Sequence, residues 1–240
     1  MDTHPPKTAA IIPAAGAGVR MQSRQAKQYL TLGGKPMLAV TLQAFEVCPE
    51  VDGVFLVVPS SDIRFCSEEI VSRFEFKKVR AVVAGGKRRQ DSVRMGIEAT
   101  AGDYEYIVIH DGVRPLVTPE LLTEVINAAR THRAVIPALA AKDTVKEING
   151  RQEVVKTHER TRMWMVQTPQ AFRYEDILKA HRRAHLKGWE EATDDASLVE
   201  RCGIPVQVVT GLEQNIKITT PMDLNMANWI LTSAIDPVPA

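Results

Sequence analysis

Short apolar runs alternate along this chain with longer segments in which apolar residues recur at helical spacing. The apolar runs predict strands over residues 9–13, 54–58, 80–83, 106–110 and 134–137. Strands and helices in alternation form βαβ units, whose strands are parallel and whose helices cover both faces of the sheet. The pattern therefore predicts an α/β fold built on a doubly wound, mostly parallel sheet.

The helical spacing predicts a set of helices with recognisable N-termini. They cover residues 36–47, 61–74, 92–100, 118–132, 174–187, 194–202 and 221–231. Two begin with a hydroxyl residue followed by proline, Thr118-Pro119 and Thr220-Pro221, which is typical of a helix start. His181, within a basic run of the fifth helix, is expected on a solvated helix face and not in a metal site.

Residues 141–160 interrupt this alternation. Asn149-Gly150 lies between two alternating segments, and Asn-Gly in that setting is a strong signal for a β-hairpin. The segment carries many charges and few large apolar side chains, and an isolated two-stranded ribbon is only marginally stable in water. We therefore predict a protruding β-hairpin arm that a partner stabilises.

Composition narrows the class of protein. The 240 residues are 45% hydrophobic and 25% charged, and they predict one domain, 1–240, with loose tails at 1–7 and 233–240. Thirty Lys and Arg against 29 Asp and Glu leave a net charge of +1, which argues against a nucleic-acid-binding protein. No apolar run approaches the ~18 residues of a membrane span, and no signal-peptide pattern opens the chain, so we expect a cytoplasmic protein. The 3 cysteines form no C-x-x-C pair, which predicts neither a disulfide framework nor a zinc site.

The loop after the first predicted strand has the composition of a phosphate-binding loop. Gly16 and Gly18 lie among small residues, which leave backbone amides accessible. Met21 stands where a dinucleotide fingerprint requires glycine or alanine, and no Walker ending follows. A Gly-x-Gly alone is equally typical of a tight turn, but Arg20 and Lys27 favour polyphosphate binding, because a turn does not require two cations.

Two later strand ends also carry candidate residues. Gly85-Gly86 precedes Ser92 at a predicted helix start, which suits a base or ribose, although Asp91 or Ser92 could equally cap that helix. Asp111 follows the strand at 106–110 and could hold a sugar hydroxyl or a metal, or form an Asx-turn.

A late candidate is Lys217. It lies in the alternating segment 215–219, which predicts a short strand with a polar face.

Eight ordered motifs together resemble those of the 2-C-methyl-D-erythritol 4-phosphate cytidylyltransferase family. They are Ala14-Ala15-Gly16-x-Gly18-x-Arg20-Met21, Lys27-Gln28-Tyr29, Gly85-Gly86-x-x-Arg89-x-x-Ser92-Val93, His110-Asp111-x-x-Arg114-Pro115, Asp143-Thr144-Val145-Lys146, Thr168-Pro169-Gln170-x-Phe172, Thr193-Asp194-Asp195-Ala196-Ser197 and Asn215-Ile216-Lys217. The resemblance spans residues 9–231 and is to the monofunctional form, not to a fusion with the cyclising enzyme of the pathway.

This resemblance implies a Rossmann-like nucleotidyltransferase fold and a cytidylyltransferase activity. The reaction joins CTP and methylerythritol 4-phosphate, giving 4-diphosphocytidyl-2-C-methyl-D-erythritol and pyrophosphate in the non-mevalonate route to isoprenoids. The implied assembly is a homodimer in which the arm at 141–160 crosses to the partner. The implied cofactor is a divalent metal, Mg²⁺ by expectation, held mainly by the triphosphate and not by protein ligands.

The family's site residues carry over by position. The resemblance implies that the catalytic residues are Arg20, Lys27 and Lys217. It implies nucleotide binding by Ala14, Ala15, Gly16, Gly18, Gly86, Arg89, Ser92 and Gly112. It implies substrate binding by Asp111, Thr144, Arg160, Thr168 and Lys217.

Three departures and three alternatives accompany this interpretation. Ala26 stands where many members have proline, Gly112-Val113 replaces a pair of alanines, and residues 87–90 are unusually basic. A ribitol 5-phosphate cytidylyltransferase shares the nucleotide loops and differs at the alcohol site. A nicotinamide-dependent oxidoreductase is disfavoured by the missing third glycine. A non-catalytic nucleotide-binding module is the third alternative, and it would release no pyrophosphate.

Overall fold

An eight-stranded sheet forms the centre of the molecule. The structure is a computed structural model that describes residues 6–16, 26–189 and 192–233. The strands are β1 (Thr8–Pro13), β2 (Thr31–Leu32), β3 (Lys35–Pro36), β4 (Gly53–Val58), β5 (Val79–Ala84), β6 (Tyr106–Ile109), β7 (Ala134–Ala140), β8 (Lys146–Ile148), β9 (Val154–Thr157), β10 (Trp164–Val166), β11 (Gln170–Arg173) and β12 (Gln207–Thr210). Strands β2–β3 and β8–β9 form separate two-stranded sheets.

The main sheet is mostly parallel, as predicted. Its strands follow the order β5, β4, β1, β6, β11 and β7, and both β10 and β12 also pair with β7. Every pairing is parallel except those of β10 and β11, which run antiparallel to their neighbours. The apolar pattern did not predict β10, β11 or β12. Strand β10 is exposed throughout and β12 nearly so. Strand β10 is apolar but only 3 residues long, and β12 has a polar residue at each end, so neither has the buried apolar run of a central strand.

Helices cover both faces of this sheet. They are α1 (Met37–Val47), α2 (Ile63–Phe65), α3 (Arg89–Ala99), α4 (Pro119–His132), α5 (Tyr174–Lys187), α6 (Asp195–Glu200) and α7 (Pro221–Ser233). Helix α2 continues as a π-helical stretch, Cys66–Ser72, so the helix predicted over 61–74 is present in a less regular form. The predicted caps are also confirmed, since the Thr118 hydroxyl accepts from Leu121 N–H and that of Thr220 from Asp223 N–H.

Strand β1 shows why the sheet is buried on both faces. Ala10 and Ile12 join the core cluster under α1 and α4, whereas Ala9 and Ile11 join the cluster under α3, α5 and α6. All four are inaccessible to solvent. A strand that is apolar on both faces is buried between two layers of helices, and this is the doubly wound arrangement.

Gly96 lets α3 lie unusually close to the sheet. A Cβ atom there would lie 2.4 Å from Ile11 Cγ2 and 2.9 Å from Val57 Cγ2, on the two strands beneath. Only glycine permits this approach without a shift of the helix. Because α3 follows the loop at residues 85–88, the approach also sets the position of that loop.

The predicted arm is present as the hairpin β8–β9. Lys146 pairs with Thr157, and the strands pair only with each other among the described residues. Every residue of both strands is exposed, including the apolar side chains of Ile148 and Val154. The single chain therefore leaves the arm uncovered.

Most of the predicted tails lie outside the described residues. Lys7, at the end of the first, is tied to the sheet, since its carbonyl accepts from the N–H groups of Glu105 and Tyr106. Within the ranges that the structure describes, no helix is long and apolar enough to cross a membrane.

Candidate active site

A pocket opens at the carboxyl end of β1. Ala14, Ala15 and Gly16 form one wall, where Ala14 N–H donates to Val57 O over 2.7 Å and Ala14 O accepts from Gln28 Nε2 over 2.8 Å. The described lining residues are Pro13, Ala14, Ala15, Gly16, Lys27, Gln28, Gly86, Lys87, Arg88, Arg89, Ser92, Asp111, Val113 and Lys217. Below we call this the glycine pocket. The predicted residues Gly18 and Arg20 lie outside the described residues.

The double glycine is required where the second loop meets the first. A Cβ on Gly85 would lie 2.7 Å from Ala15 Cβ, and one on Gly86 would lie 2.5 Å from Asp91 Cβ. The Ser92 hydroxyl accepts from Gly86 N–H over 3.1 Å. Neither Asp91 nor Ser92 caps the helix, as the sequence had left open, because α3 begins earlier, at Arg89. The hydroxyl instead fixes the backbone of the glycine pair.

The basic loop at 87–90 has a structural explanation. Arg88 donates to both oxygens of Asp91 over 2.9 Å, and this pairing lowers the pKa of the Asp91 carboxyl. Arg89 turns away from the loop and contacts Asp111 and Asp195. Lys87 lines the glycine pocket.

Asp111 is the charged centre of the site. Its Oδ1 accepts from Arg89 Nε and its Oδ2 from Lys217 Nζ, each over 2.8 Å, whereas Arg114 Nε is more distant at 3.9 Å. Burial alone would raise the pKa of this carboxyl, but the charges of Arg89 and Lys217 outweigh burial and hold the pKa well below its ordinary value. The carboxylate is therefore ionised and fully engaged, so it is poorly suited to act as a general base.

A second pocket lies on the other side of Asp111. Its described lining residues are Arg89, Asp111, Arg114, Ile136, Val166, Gln167, Thr168, Gln170, Thr193, Asp194, Ser197, Glu200 and Lys217. We call this the threonine pocket, after Thr168 and Thr193. Arg89, Asp111 and Lys217 line both pockets, so these three side chains form the wall that the pockets share.

A chain of hydrogen bonds through His110 and Thr168 joins the backbone of Asp111 to that of Arg114. His110 Nε2 lies 3.0 Å from Arg114 O, which can only accept, so Nε2 carries the hydrogen. His110 Nδ1 then accepts from the Thr168 hydroxyl over 3.0 Å, and the same hydroxyl accepts from Asp111 N–H over 3.1 Å. Complete burial lowers the pKa of His110 to about 4, so the imidazole is neutral near pH 7.

Lys217 is held in place without a strand. The predicted strand at 215–219 is absent, and the segment is fixed by single contacts. Asn215 Nδ2 donates to Thr168 O over 2.7 Å, Asn215 O accepts from Arg114 Nη1 over 2.7 Å, and Ile218 N–H donates to Val113 O over 2.9 Å. These contacts place the Lys217 ammonium beside Asp111.

Three predicted residues lie outside the described linings of both pockets. Gly112 is buried behind Asp111, where an added Cβ would lie 3.1 Å from Ala14 Cβ. Thr144 and Arg160 lie on or beside the arm, both exposed, and Arg160 Nη1 donates to Lys142 O over 2.9 Å. One chain alone therefore brings neither Thr144 nor Arg160 into the described lining of either pocket.

The sequence did not assign roles to several residues that build the site. Arg114 and His110 flank Asp111 in the motif, so their position was a usable signal. Asp195 lies in the motif at 193–197, but its pairing with Arg89 could not be read from the sequence, because the two residues are 106 positions apart. His181 was expected on a solvated face, which is wrong: it is buried, and its Nε2 lies 3.1 Å from Asp195 Oδ1.

The described side chains offer little to a protein-bound metal. No group of three or more His, Cys, Asp or Glu is arranged to hold an ion within residues 6–16, 26–189 and 192–233. Asp111 is the only carboxylate in the described lining of the glycine pocket, and two cations already engage it. These residues do not by themselves form a metal site.

Comparisons with known proteins agree with this geometry. The family model described as 2-C-methyl-D-erythritol 4-phosphate cytidylyltransferase matches residues 8–233. A protein of that name from Syntrophus aciditrophicus is 48% identical over 226 residues, which cover 94% of this chain and 96% of the relative. One from Geobacter metallireducens is 49% identical over 221 residues, covering 91% and 94%. The crystal structure of a 4-diphosphocytidyl-2C-methyl-D-erythritol synthase from Anaerococcus prevotii superposes with a TM-score of 0.83 at 35% identity, covering 95% and 96% of the two chains.

Proposed function

This chain belongs to the 2-C-methyl-D-erythritol 4-phosphate cytidylyltransferase family, and from that premise we propose that it transfers the cytidylyl group of CTP to 2-C-methyl-D-erythritol 4-phosphate. Membership makes the protein a nucleotidyltransferase with a Rossmann-like α/β fold. The products of the proposed reaction are 4-diphosphocytidyl-2-C-methyl-D-erythritol and pyrophosphate, in a route to isoprenoids.

The observation that carries this proposal is the shared wall of the two pockets. The glycine pocket has the small residues and cations that a nucleoside triphosphate requires, and the threonine pocket has hydroxyl and guanidinium groups that suit a polyol phosphate. Arg89, Asp111 and Lys217 face both. A transfer between two bound substrates requires such adjoining sites, because the reacting atoms must be held in line at close range.

The proposed chemistry needs positioning and positive charge more than a base. A phosphate monoester has a second pKa near ~6, so the alcohol phosphate is largely a dianion at pH 7 and can attack directly. One of its oxygens forms a bond to the α-phosphorus of CTP as the bond from that phosphorus to the β-phosphate oxygen breaks. Lys27, Arg20 and Lys217 are the cations we assign to the charge that develops on these oxygens.

The remaining proposed roles follow the two pockets. We assign the nucleotide to Ala14, Ala15, Gly16, Gly18, Gly86, Arg89, Ser92 and Gly112. We assign the alcohol phosphate to Asp111, Thr168 and Lys217, with Thr144 and Arg160 supplied by the arm of a second copy. The exposed apolar side chains of the arm support a homodimer, because an uncovered two-stranded ribbon is marginal in water. The two substrates and this second copy are the partners that we propose.

A divalent cation, Mg²⁺, is the cofactor that we propose. We propose that the phosphates of CTP would hold the ion and that it would neutralise charge on the triphosphate. Chelation with EDTA should abolish pyrophosphate release, and added Mg²⁺ should restore it.

The decisive test is pyrophosphate release from CTP with Mg²⁺, run in parallel with methylerythritol 4-phosphate and ribitol 5-phosphate. Turnover of the first substrate alone is the expected result. Turnover of ribitol 5-phosphate alone would keep the nucleotide site and overturn the alcohol assignment. Release with neither, despite CTP binding, would favour a non-catalytic nucleotide-binding protein.

A further inference from the structure

Arg89 is held between two carboxylates from distant parts of the chain. Its Nε donates to Asp111 Oδ1 over 2.8 Å, and its Nη1 donates to Asp195 Oδ2 over 2.7 Å. Asp111 lies in the wall between the pockets, whereas Asp195 is the first residue of α6, behind that wall. Asp195 is absent from the described lining of both pockets, so we do not expect it to contact a substrate.

Asp195 is itself anchored from behind. Its side chain is 1% exposed, and its Oδ1 accepts from His181 Nε2 over 3.1 Å, where the imidazole belongs to α5 and is fully buried. Burial would raise the pKa of the Asp195 carboxyl, but the charge of Arg89 and the hydrogen bond from His181 outweigh it and hold the pKa low. The carboxylate is therefore a fixed negative charge.

The segment that carries Asp195 is also fixed. The buried amide of Gln170, on β11, donates from Nε2 to Asp194 Oδ2 over 2.9 Å and accepts at Oε1 from Ala196 N–H over 3.2 Å. The turn that presents Asp195 is thus tied to the sheet on both sides of the residue.

We propose that Asp195 and His181 are positioning residues that hold the Arg89 guanidinium against Asp111 and thereby fix the place of Lys217. With Arg89 on one carboxylate oxygen and Lys217 on the other, Asp111 cannot rotate without losing a charged hydrogen bond. Loss of the Asp195 charge frees Arg89 to leave Asp111, and the Lys217 ammonium then shifts with the carboxylate. This inference rests on the proposed function, in which Lys217 contacts the reacting phosphates.

The test compares Asp195→Asn with a matched control. Asp176→Asn is that control, because Asp176 is also a mostly buried acid that accepts two hydrogen bonds from an arginine, Arg133, over 2.7 and 2.9 Å, and it lines neither pocket. Asp195→Asn should lower kcat/KM for methylerythritol 4-phosphate by about 10- to 100-fold, the usual effect of small misplacement of a catalytic group. The Kd for CTP, measured by calorimetry, should rise far less than kcat/KM falls, because Arg89 is only one of the residues assigned to the nucleotide. Asp176→Asn should lower thermal stability and leave kcat, KM and Kd unchanged.

A second pair of variants tests the far end of the same chain of contacts. His181→Leu removes the donor to Asp195, whereas His181→Gln keeps an N–H group near the same place. The leucine variant should show a smaller fall in kcat/KM, up to about tenfold, and the glutamine variant should recover most of it. This pair decides the question if Asp195→Asn does not fold.

The outcomes separate this inference from the function it rests on. If wild-type protein releases no pyrophosphate with methylerythritol 4-phosphate, the proposed function fails and the inference falls with it. If wild type is active but Asp195→Asn and His181→Leu lose only thermal stability, as the control does, the positioning role is overturned. A loss of CTP affinity at unchanged kcat would also overturn it, because Arg89 would then serve nucleotide binding alone and not the placement of Lys217.

Discussion

The side chains in this site are held by ion pairs and by hydrogen bonds in which the donor and the acceptor are both known. Asp111 faces two cations, and His110 donates to a carbonyl and accepts from Thr168, so neither group is available as a base. The residues left to promote transfer are the cations, of which Lys27 lines the glycine pocket. At the residue scale, the site is therefore a set of fixed positive charges around two pockets.

Lys27→Ala should lower kcat severely. Removing one preorganised donor to developing charge typically costs 10²–10³-fold in rate, or about 3–4 kcal/mol. Steady-state pyrophosphate release measures the effect, and Lys35→Ala, an exposed lysine on β3, is the control that should keep wild-type kcat. A wild-type kcat for Lys27→Ala would refute the assigned role.

His110 should make the fold less stable as the pH falls. Its folded pKa of about 4 lies below the ordinary value near 6.5, so between these values the unfolded chain binds more protons, and acid favours unfolding. Between pH 7 and pH 5 this contribution is about 2 kcal/mol. Denaturant unfolding at both pH values should show it in wild type and lose it in His110→Gln. The low pKa values of Asp111 and Asp195 act in a separate window, below their ordinary range, so they do not obscure the comparison. Equal pH dependence in the two proteins would contradict the assignment.

At the scale of elements, the site depends on how closely helices approach the sheet. Helix α3 rests on β1 and β4 through Gly96, and the loop before it supplies Gly86 to the glycine pocket. Strand β11 positions the start of α6 in a similar way, because Gln170 on that strand is hydrogen-bonded to the residues on either side of Asp195. The distance between the pocket walls is thus set by packing beneath them.

Gly96→Ala should destabilise the protein although it raises helix propensity. The added methyl meets Ile11 and Val57, which are fully buried, and overpacking of this kind costs about 1–3 kcal/mol. Propensity alone predicts a gain of about 1 kcal/mol, so the sign of the change is diagnostic. Urea unfolding measures it. The control is Glu98→Ala, a substitution at an exposed position of the same helix, which should alter the unfolding free energy by only a few tenths of a kcal/mol. A stabilised Gly96→Ala would show that the helix is free to move outward.

At the scale of the whole molecule, a single chain leaves its arm exposed to solvent and leaves the proposed site without two of its assigned residues. The arm exposes Ile148 and Val154, and Thr144 and Arg160 lie outside both pockets in the single chain. The proposed homodimer accounts for both, since an isologous pair would cover each arm and give each site the arm residues of the other copy.

Arg160→Ala should raise the KM for methylerythritol 4-phosphate and leave the Kd for CTP unchanged. An arginine that contacts only the substrate phosphate contributes to binding of that substrate alone. Initial rates at varied alcohol phosphate and calorimetry with CTP measure the two constants. A weakened CTP complex would instead place Arg160 at the nucleotide.

Mixed dimers should show whether the arm acts across the interface. In a dimer of one Lys27→Ala and one Arg160→Ala chain, a crossing arm leaves one site with both native residues. The assay uses a methylerythritol 4-phosphate concentration far below the raised KM of Arg160→Ala, so that neither variant alone turns over appreciably. Random reassociation of the two variants should then restore about a quarter of wild-type activity. Lys27→Ala mixed with the Lys27→Ala, Arg160→Ala double variant is the control and should stay inactive. No recovery in the first mixture, once sedimentation has shown mixed dimers, would place Arg160 in its own chain's site.

The sequence by itself determined the parts of this protein that depend on neighbouring residues. Apolar runs predicted the five parallel strands that carry them. The Thr-Pro pairs predicted the caps at Thr118 and Thr220, and Asn149-Gly150 predicted the hairpin, because these features follow from local turn and capping chemistry. The motifs identified the family, and they named most of the lining of the glycine pocket.

Only the tertiary structure decided which distant residues meet. Strands β10 and β11 escaped prediction because they are short, with 3 and 4 residues, and are defined by their pairing with β7 and β6. Lys217 has no strand because Asn215 and Ile218 are held by Thr168 and Val113. The contacts of Asp195 with Arg89 and with His181 are the clearest case, because a charge pair between residues 106 positions apart has no periodicity that a sequence pattern can show.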